Sequence, residues 1–372
     1  MYNGKVGVRG FPVRRAAAVL LFVVLAVMPV AASAAPRAAA TQVPGRAPAA
    51  RLPAWQTPGR AAAPRLAAPQ TTLRPTVRSG DGIALGAFIP EAPAMASAID
   101  GYTRVVGVSP AIVMWYEDWA HNGFDPALMQ TVAARGATPL VTWDPWDWSG
   151  DAIDQPAYSL SAIAAGGHDD YVRRWATAAA AWGRPLYLRF APEMNGVWAP
   201  WEAFVNGNTP ADYVAAWRHM VNIFRQQGAT NVRWVWCPNV IASDALTFAP
   251  FYPGDAYVDW VGLDGYNGGT ALLWGGWLSV SQLFGPSYGV LTALTSKPVM
   301  IGETASAEAG GDKAAWITQG LLTDLPAQFP AVRAMVWFDG VKETDWRVNS
   351  SPAALAAFRQ VAASPLYQGS LH

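Results

Sequence analysis

The chain is predicted to fold as a (β/α)8 barrel, an α/β fold in which eight parallel strands alternate with helices. Eight short apolar or aromatic runs alternate with longer helix-like stretches, and the eight strand–helix repeats together occupy about 290 residues, which fits such a barrel in size and count. The runs are continuous rather than alternating, which is typical of strands that are covered on both faces. The predicted strands are residues 83–90, 111–119, 138–145, 185–193, 232–239, 258–267, 298–306 and 334–340.

Helix-like stretches separate the predicted strands. Residues 209–228 begin with Thr209, a favourable N-cap, and with Pro210, a favourable first helical residue. A doubly wound open sheet is the alternative fold, but such a sheet more often carries a glycine-rich phosphate-binding turn after its first strand, and none follows residues 83–90. The other helix candidates are residues 169–183, 311–325 and 351–364.

The first 78 residues differ in composition from the predicted barrel. Residues 1–34 pass from basic to apolar to small side chains, the order of a signal peptide, so we expect cleavage after Ala34 and secretion. An uncleaved membrane anchor is the alternative, although an apolar run of 17 residues is at the short end for crossing a bilayer. Residues 35–78 are rich in Ala, Pro and Arg, so we expect a disordered linker that acts as a spacer or contacts the cell envelope. The barrel domain is then expected over residues 79–372.

Charge is divided unevenly along the chain. Of the 26 Lys and Arg residues, eleven lie in residues 1–78, which contain no Asp or Glu, so the remainder has 15 basic and 26 acidic residues and a net charge of −11. This negative balance argues against nucleic acid as a partner of the folded part. We expect a monomer, without stable membrane insertion once the signal peptide is removed.

Two kinds of chemistry are disfavoured by the residue pattern. The four histidines, His121, His168, His219 and His372, have no metal-ligand spacing and end no predicted strand, so we expect neither a metal site nor a cofactor. The single cysteine, Cys237, can form no intramolecular disulfide and has no candidate histidine base. It is interpreted as a small packing residue.

Polar side chains gather at the C-terminal ends of the predicted strands. In a (β/α)8 barrel these ends open on one face, where ligands bind. The convergence predicts a functional site there, with Asp144 and Asn239 among the candidate substrate ligands. The residues concerned are Asp118, Asp144, Glu193, Asn239, Asp264, Tyr266, Glu303 and Asp339.

Two glutamates at this face form a candidate catalytic pair. Glu193 ends the fourth predicted strand and Glu303 ends the seventh. Cleavage of a glycosidic bond needs a carboxylic acid that protonates the leaving oxygen and a carboxylate that attacks the anomeric carbon or directs water to it. The chain also contains 19 tryptophans, whose flat rings can stack on sugars. The candidate sugar platforms are Trp143, Trp146, Trp198, Trp201 and Trp337.

Each glutamate also has a structural interpretation that the residue pattern leaves open. Glu193 could form an ion pair with Arg189, because residues four apart on a strand point to the same side. Glu303 could be a buried carboxylate that accepts hydrogen bonds from the hydroxyl groups of Thr304 or Tyr266.

Three segments resemble motifs of glycoside hydrolase family 26. RFAPEMNGVW (189–198) resembles the acid/base motif R-x-x-x-E-M-N-G-x-W of that family. VMIGET (299–304) resembles its nucleophile strand, and VDWVGLDGYN (258–267) resembles its sixth strand. The segments occur in the order of the family, and the resemblance extends over residues 80–365.

The resemblance implies a fold, a mechanism and roles for individual residues. Family members are retaining (β/α)8 enzymes, mostly endo-β-1,4-mannanases, with β-1,3-1,4-glucanases and β-1,3-xylanases as minorities. By position, Glu193 would be the acid/base and Glu303 the nucleophile. Tyr266 would donate a hydrogen bond to the nucleophile, and Trp198 would be a sugar platform. The remaining pair, Asp259 and Arg189, would form the polar floor of the site.

One residue departs from the family pattern. Many mannanases of the family have histidine directly before the acid glutamate, whereas this chain has Pro192, which lacks a side-chain donor and a backbone N–H. Asn239 is a candidate for the missing hydrogen bond. We therefore expect a secreted retaining endo-β-glycosidase that acts on a plant or microbial β-linked polysaccharide, with β-1,4-mannan as the first candidate. The alternatives are β-1,3-1,4-glucan, β-1,3-xylan, and a carbohydrate-binding barrel without catalysis.

Overall fold

The computed structural model describes residues 82–241, 247–274 and 276–371. The signal peptide predicted over residues 1–34 and the linker predicted over residues 35–78 lie outside the described residues and stay predictions. In the described part of the chain, no helix is both long enough and apolar enough to cross a membrane.

Eight parallel strands close into a barrel in their order along the chain, which confirms the predicted fold. The last strand pairs with the first from Ala334 opposite Ala84 to Phe338 opposite Phe88, so closure leaves no free sheet edge. All eight predicted strands are present. They are β1 (Ala84–Phe88), β2 (Ile112–Asp118), β3 (Thr138–Asp144), β4 (Leu186–Phe190), β5 (Val232–Trp236), β6 (Trp260–Asn267), β7 (Val299–Ser306) and β8 (Val332–Phe338).

Helices connect the strands. The helix predicted from Thr209 begins with a capping box, in which the Asp212 backbone N–H donates to the Thr209 hydroxyl at 3.2 Å and the Thr209 N–H donates to the Asp212 carboxylate at 2.9 Å. The candidate over residues 311–325 is interrupted by a π-helical stretch, Gly320–Asp324. The α-helices are α1 (Ala96–Val106), α2 (Pro126–Ala133), α3 (Leu160–Ala164), α4 (Asp169–Trp182), α5 (Pro210–Gln226), α6 (Val280–Leu294), α7 (Lys313–Gln319), α8 (Leu325–Gln328) and α9 (Pro352–Ala362).

Side chains alternate along each strand between two cores. Met114, Leu140 and Val336 belong to the smaller core, which fills the barrel interior. Their sequence neighbours, such as Val113 and Val141, belong to the larger core between the strands and the helices. Whether a residue takes an interior or an outer position in this alternation, which we call its parity, therefore decides whether its side chain can reach the barrel mouth.

Candidate active site

Glu303 faces the barrel mouth because β7 is irregular. Met300 lies in the barrel interior and Ile301 in the outer core, so strict alternation would turn Glu303 outward. The register of β7 against β6 instead shifts by one residue at this point, and Gly302 is the extra residue. A Cβ at Gly302 would lie 2.6 Å from an oxygen of Asp264, so the close packing beside Glu303 requires glycine.

Three side chains donate hydrogen bonds to the Glu303 carboxylate. Tyr116 Oη lies 2.7 Å from Oε1, Tyr266 Oη lies 2.6 Å from Oε2, and Arg189 Nη2 also donates to Oε1. Burial raises the pKa of Glu303, but the charge of Arg189 and these hydrogen bonds outweigh burial and hold that pKa below its ordinary value. This environment favours the ionised form of Glu303 at neutral pH.

Arg189 forms the floor of the site rather than an ion pair with Glu193. Its Nη1 lies 2.7 Å from Asp264 Oδ2, and its Nε and Nη2 donate to Thr142 Oγ1 at 3.1 and 2.9 Å. Its other ion pair is with Glu303. Both ion pairs of this guanidinium within the described residues are thus with other carboxylates, and the proposed pairing of Glu193 with Arg189 is not found.

Glu193 stands on a backbone of unusual geometry. Strand β4 ends at Phe190, and the next residues include two in the left-handed region, Ala191 at φ 43° and Glu193 at φ 55°. Such angles are unfavourable for residues other than glycine, and they tend to cluster at functional sites. A hydrogen bond of 2.8 Å from the Glu193 N–H to the Cys237 carbonyl ties this turn to the end of β5.

The surroundings of the Glu193 carboxyl shift its pKa in the direction opposite to that of Glu303. Asn239 Nδ2 donates to Oε1 at 2.6 Å and Trp198 Nε1 donates to Oε2 at 3.0 Å. Burial raises the pKa of Glu193, and the negative charge of Glu303 raises it further, against the lowering effect of the two hydrogen bonds. The site therefore combines a carboxylate with a neighbouring carboxyl that favours its protonated form.

Asp144 contributes a third carboxyl to the site. It lies two residues after Thr142, whose side chain contacts Arg189, so both side chains face the barrel interior. Asp144 is 6% exposed, and its Oδ1 has no hydrogen-bond partner among the described residues. A buried carboxyl oxygen without a partner is costly, which fits a ligand that supplies the missing hydrogen bond. Substrate binding by Asp144 stays a prediction.

Asp259 does not lie in the polar floor, and this expectation was wrong. It directly precedes β6, and its Oδ2 accepts a hydrogen bond of 2.8 Å from the backbone N–H of Trp234 in the middle of β5. Parallel strands place this position at the end of the barrel opposite Glu303. Asp264, five residues later on β6, occupies the place beside Arg189 instead.

Two of the predicted sugar platforms, Trp143 and Trp337, are core residues. Both are fully buried and belong to the outer core, because their parity along β3 and β8 turns them away from the barrel interior. Trp143 packs against Trp175, and Trp337 packs against Phe358. Neither ring can stack on a sugar, so these two predictions were wrong.

The remaining predicted platforms lie in the loops after β3 and β4 and have different environments. Trp201 is only 5% exposed and donates from Nε1 to the Pro192 carbonyl at 2.7 Å, so it supports the loop and is not an open platform. Its ring contacts the half-buried Trp146 edge to face at 5.6 Å. Trp198 is 47% exposed beside Glu193 and stays a candidate platform.

Two residues of the site were not singled out from the sequence. Tyr116 stands two positions after Met114, an interior residue of β2, and that parity could have indicated its direction. Glu202 is fully buried in the loop after β4 and accepts hydrogen bonds from the backbone of Trp198 and Ala199. No pattern in the sequence indicated this contact.

One cluster in the described part of the chain has ligand atoms close enough for a metal ion. Oxygen and nitrogen atoms of Asp118, His121 and Asp147 lie within 4.8 Å of one another. The same atoms already form hydrogen bonds within the loops after β2 and β3. Asp118 Oδ2 is 2.5 Å from His121 Nδ1, and Asp147 Oδ1 accepts a hydrogen bond from the Ser149 hydroxyl. We assign this cluster to loop structure.

Comparison with known proteins identifies the family. The model of glycosyl hydrolase family 26 matches residues 158–324. Over 286 residues the chain is 39% identical to Endoglucanase H of Acetivibrio thermocellus, a match that covers 75% of this chain and 30% of that protein's length. Over 91 residues it is 36% identical to mannan endo-1,4-beta-mannosidase A and B of Caldalkalibacillus mannanilyticus, covering 23% of this chain and 16% of that protein.

A solved structure shares the barrel fold. It is the catalytic domain of a family 26 endo-beta-1,4-mannanase from Bacillus sp. JAMB-750, with a TM-score of 0.59 and 19% identity, and the match covers 77% of this chain and 86% of that one. The family model spans β4 with Arg189, the turn after β4 with Glu193, and β7 with Glu303. With both glutamates inside the matched span and a closed eight-stranded barrel around them, the chain belongs to glycoside hydrolase family 26.

Proposed function

We propose that this chain is a retaining endo-β-glycosidase that hydrolyses a β-linked polysaccharide. One observation carries the proposal: two glutamates at the barrel mouth have contrasting partners, since Glu303 is paired with Arg189 and two tyrosine hydroxyls, whereas Glu193 has only neutral donors. Burial and the charge of Glu303 favour the protonated form of Glu193, whereas Arg189 and two tyrosine hydroxyls favour the ionised form of Glu303. One carboxylic acid and one carboxylate at rest are what glycosidic cleavage requires.

In the first step, a Glu303 oxygen attacks the anomeric carbon while Glu193 gives its proton to the departing glycosidic oxygen. The bond to the leaving sugar breaks as the bond to Glu303 forms, which leaves a glycosyl ester and an ionised Glu193. Asn239 and Trp198 each donate to one Glu193 oxygen, and both hydrogen bonds strengthen as that carboxylate gains its charge.

In the second step, the ester has removed the negative charge of Glu303, which lowers the pKa of Glu193 from its resting value. Glu193 takes a proton from a water molecule, and the water oxygen attacks the anomeric carbon and releases Glu303. Two inversions at one carbon give a product with the configuration of the substrate. Tyr116, Tyr266 and Arg189 stabilise the carboxylate that is released.

We propose β-glucan, in particular β-1,3-1,4-glucan, as the preferred substrate. The match to a protein named as an endoglucanase covers 75% of the chain, whereas the match to one named as a mannosidase covers 23%. Pro192 supports this choice, since it stands where many mannanases of the family have histidine. The β-1,4-mannan expected from the family majority remains the second candidate.

A panel of polysaccharides tests the proposal. We expect wild-type protein to release reducing ends fastest from mixed-linkage β-glucan, more slowly from β-1,4-mannan, and least from β-1,3-xylan. Endo action should lower the viscosity of the polysaccharide well before much sugar is released. Proton NMR of the first product formed should show the β-anomer, as retention requires.

Two results of the panel would contradict the proposal. Appearance of the α-anomer first would show inversion, with Glu303 directing water instead of attacking. Binding of a polysaccharide without release of reducing ends would favour the carbohydrate-binding barrel. A clear preference for β-1,4-mannan would overturn only the choice of substrate.

Replacing Tyr116 by phenylalanine should move the acidic limb of the pH profile of kcat/KM to higher pH. The lost hydroxyl donates a 2.7 Å hydrogen bond that lowers the pKa of Glu303, so this pKa rises in the variant. Glu303 must be ionised to attack, so activity is lost at a higher pH than in wild type. We expect a shift of about one pH unit, the equivalent of a hydrogen bond to a charged group.

Tyr252→Phe is the matched control for this shift. The Tyr252 hydroxyl also donates to a carboxylate, Asp255 at 2.6 Å, but this pair precedes β6 and lies at the other end of the barrel. The control should leave the pH profile unchanged. An unchanged acidic limb in Tyr116→Phe would show that Glu303 does not titrate on that limb.

A further inference from the structure

Glu202 is a buried carboxyl that the mechanism above does not use. It lies in the loop between β4 and α5 and has no exposed surface. Its Oε2 accepts hydrogen bonds from the backbone N–H groups of Trp198 and, at 2.9 Å, of Ala199. Burial of a carboxyl is costly unless it is hydrogen-bonded, and here the hydrogen bonds go to two consecutive residues of one loop.

Trp198 connects this carboxyl to the catalytic acid. Its backbone N–H donates to Glu202, and its indole Nε1 donates to Glu193 Oε2 at 3.0 Å. The Trp198 side chain is 47% exposed, so packing alone holds the ring only in part. The position of the indole N–H therefore depends on the backbone that Glu202 fixes.

The packing around this connection is tight. A Cβ at Gly196 would lie 2.6 Å from Glu202 Oε1 and 2.6 Å from Cζ2 of Trp198, so glycine lets the carboxyl and the ring approach the same stretch of backbone. The loop is closed by a 3.0 Å hydrogen bond from the Ala203 N–H to the Met194 carbonyl. Glu202 thus holds a compact loop that begins at the catalytic acid.

Glu202 and Glu193 are also electrostatic neighbours. Burial raises the pKa of Glu202, and the charge of Glu193 contributes to the same rise. Oε1 of Glu202 has no hydrogen-bond partner among the described residues. A buried carboxyl oxygen without a partner calls for an explanation, and its place beside Glu193 points to a role in the site.

We propose that Glu202 is a positioning residue for acid–base catalysis, which keeps the Trp198 indole N–H on Glu193 by holding the Trp198 backbone. The inference rests on the proposed function and extends it from the two glutamates to the loop that serves one of them. Glu202 makes no contact with substrate in this scheme. Its loss should therefore impair protonation of the leaving group more than attack by Glu303.

Two substrates of the same sugar test this role. A polysaccharide needs a proton on its leaving oxygen, whereas a dinitrophenyl glycoside has a leaving group that departs without one. We expect Glu202→Ala to lower kcat/KM on the polysaccharide by about 10- to 100-fold, since a small misplacement of a catalytic group costs this much. The same variant should leave kcat/KM on the dinitrophenyl glycoside nearly unchanged.

Glu202→Gln is the matched variant. Its side-chain oxygen can accept the same two backbone hydrogen bonds, so its kcat/KM on the polysaccharide should stay close to that of wild type. Trp198→Phe, which removes the indole N–H, should lower kcat/KM on the polysaccharide at least as much as Glu202→Ala does. Adding Glu202→Ala to Trp198→Phe should lower kcat/KM little further, because both changes break one connection.

Three results would overturn the role of Glu202. They are equal losses on both substrates, a loss in Glu202→Gln as large as that in Glu202→Ala, and additive losses in the double variant. If Glu202→Ala does not fold, Gly196→Ala displaces the same carboxyl and ring and permits the same comparison. A wild-type protein inactive on both substrates would overturn the proposed function as well, whereas an active wild type with uniform losses would overturn only this inference.

Discussion

Glu303→Ala is expected to lower kcat/KM for polysaccharide hydrolysis by about 10⁴-fold or more, as is usual when a covalent nucleophile is removed. In the proposed mechanism Glu303 supplies the oxygen to which the sugar becomes bonded, so a better leaving group cannot replace it. The dinitrophenyl glycoside should therefore lose as much as the polysaccharide. Initial rates of wild type and variant on both substrates provide the measurement.

Added azide should reveal what the variant lacks. In Glu303→Ala, azide can enter the space of the lost carboxyl and attack the anomeric carbon of the dinitrophenyl glycoside. This single displacement yields a glycosyl azide of inverted, α configuration. Circular dichroism should confirm that the variant is folded, because the change leaves Arg189 with one ion pair, to Asp264, instead of two. Substantial hydrolysis by Glu303→Ala without azide would contradict the assignment of Glu303 as the nucleophile.

The barrel could be predicted from the sequence because each strand is a continuous apolar run between helices. The same property concealed the direction of the side chains. When both faces of a strand are buried, inward and outward positions are equally apolar, and the pattern has no contrast between them. Trp143 and Trp337 lie near strand ends as predicted, yet their parity turns them into the outer core.

Distance along a strand was the second source of error. Asp259 and Asp264 belong to one segment that resembles a family motif, but a strand rises about 3.3 Å per residue, so five residues separate them by about 16 Å. That distance spans most of the barrel. Only the position of the strand ends shows which aspartate lies beside Arg189.

The direction of Glu303 depends on the register shift at Gly302, which no local pattern indicates. Tyr116 was missed for a related reason, since a tyrosine within an apolar strand looks like any other core residue. Its hydroxyl is distinguished only by the Glu303 carboxylate that it meets, 187 positions later in the chain. Such long-range contacts complete the site, whereas the family motifs located its two glutamates.

Glu193→Ala should separate the two substrates that Glu303→Ala does not. Loss of the acid should lower kcat/KM on the polysaccharide by about 10²- to 10⁴-fold, the usual contribution of general acid–base catalysis. The dinitrophenyl glycoside needs no proton, so the first step on this substrate should stay close to the wild-type rate. The second step still needs a base toward water, so the glycosyl ester on Glu303 should accumulate and give a burst of dinitrophenolate.

Azide then distinguishes the two glutamates by stereochemistry. In Glu193→Ala, azide needs no base and should attack the glycosyl ester, which completes a double displacement and yields a glycosyl azide of retained, β configuration. The same reagent gives the α product with Glu303→Ala, because only one displacement occurs there. An α product from Glu193→Ala, or equal losses on both substrates, would contradict the assignment of Glu193 as acid/base. Opposite configurations from the two variants would follow only if one glutamate bonds to the sugar and the other moves the proton.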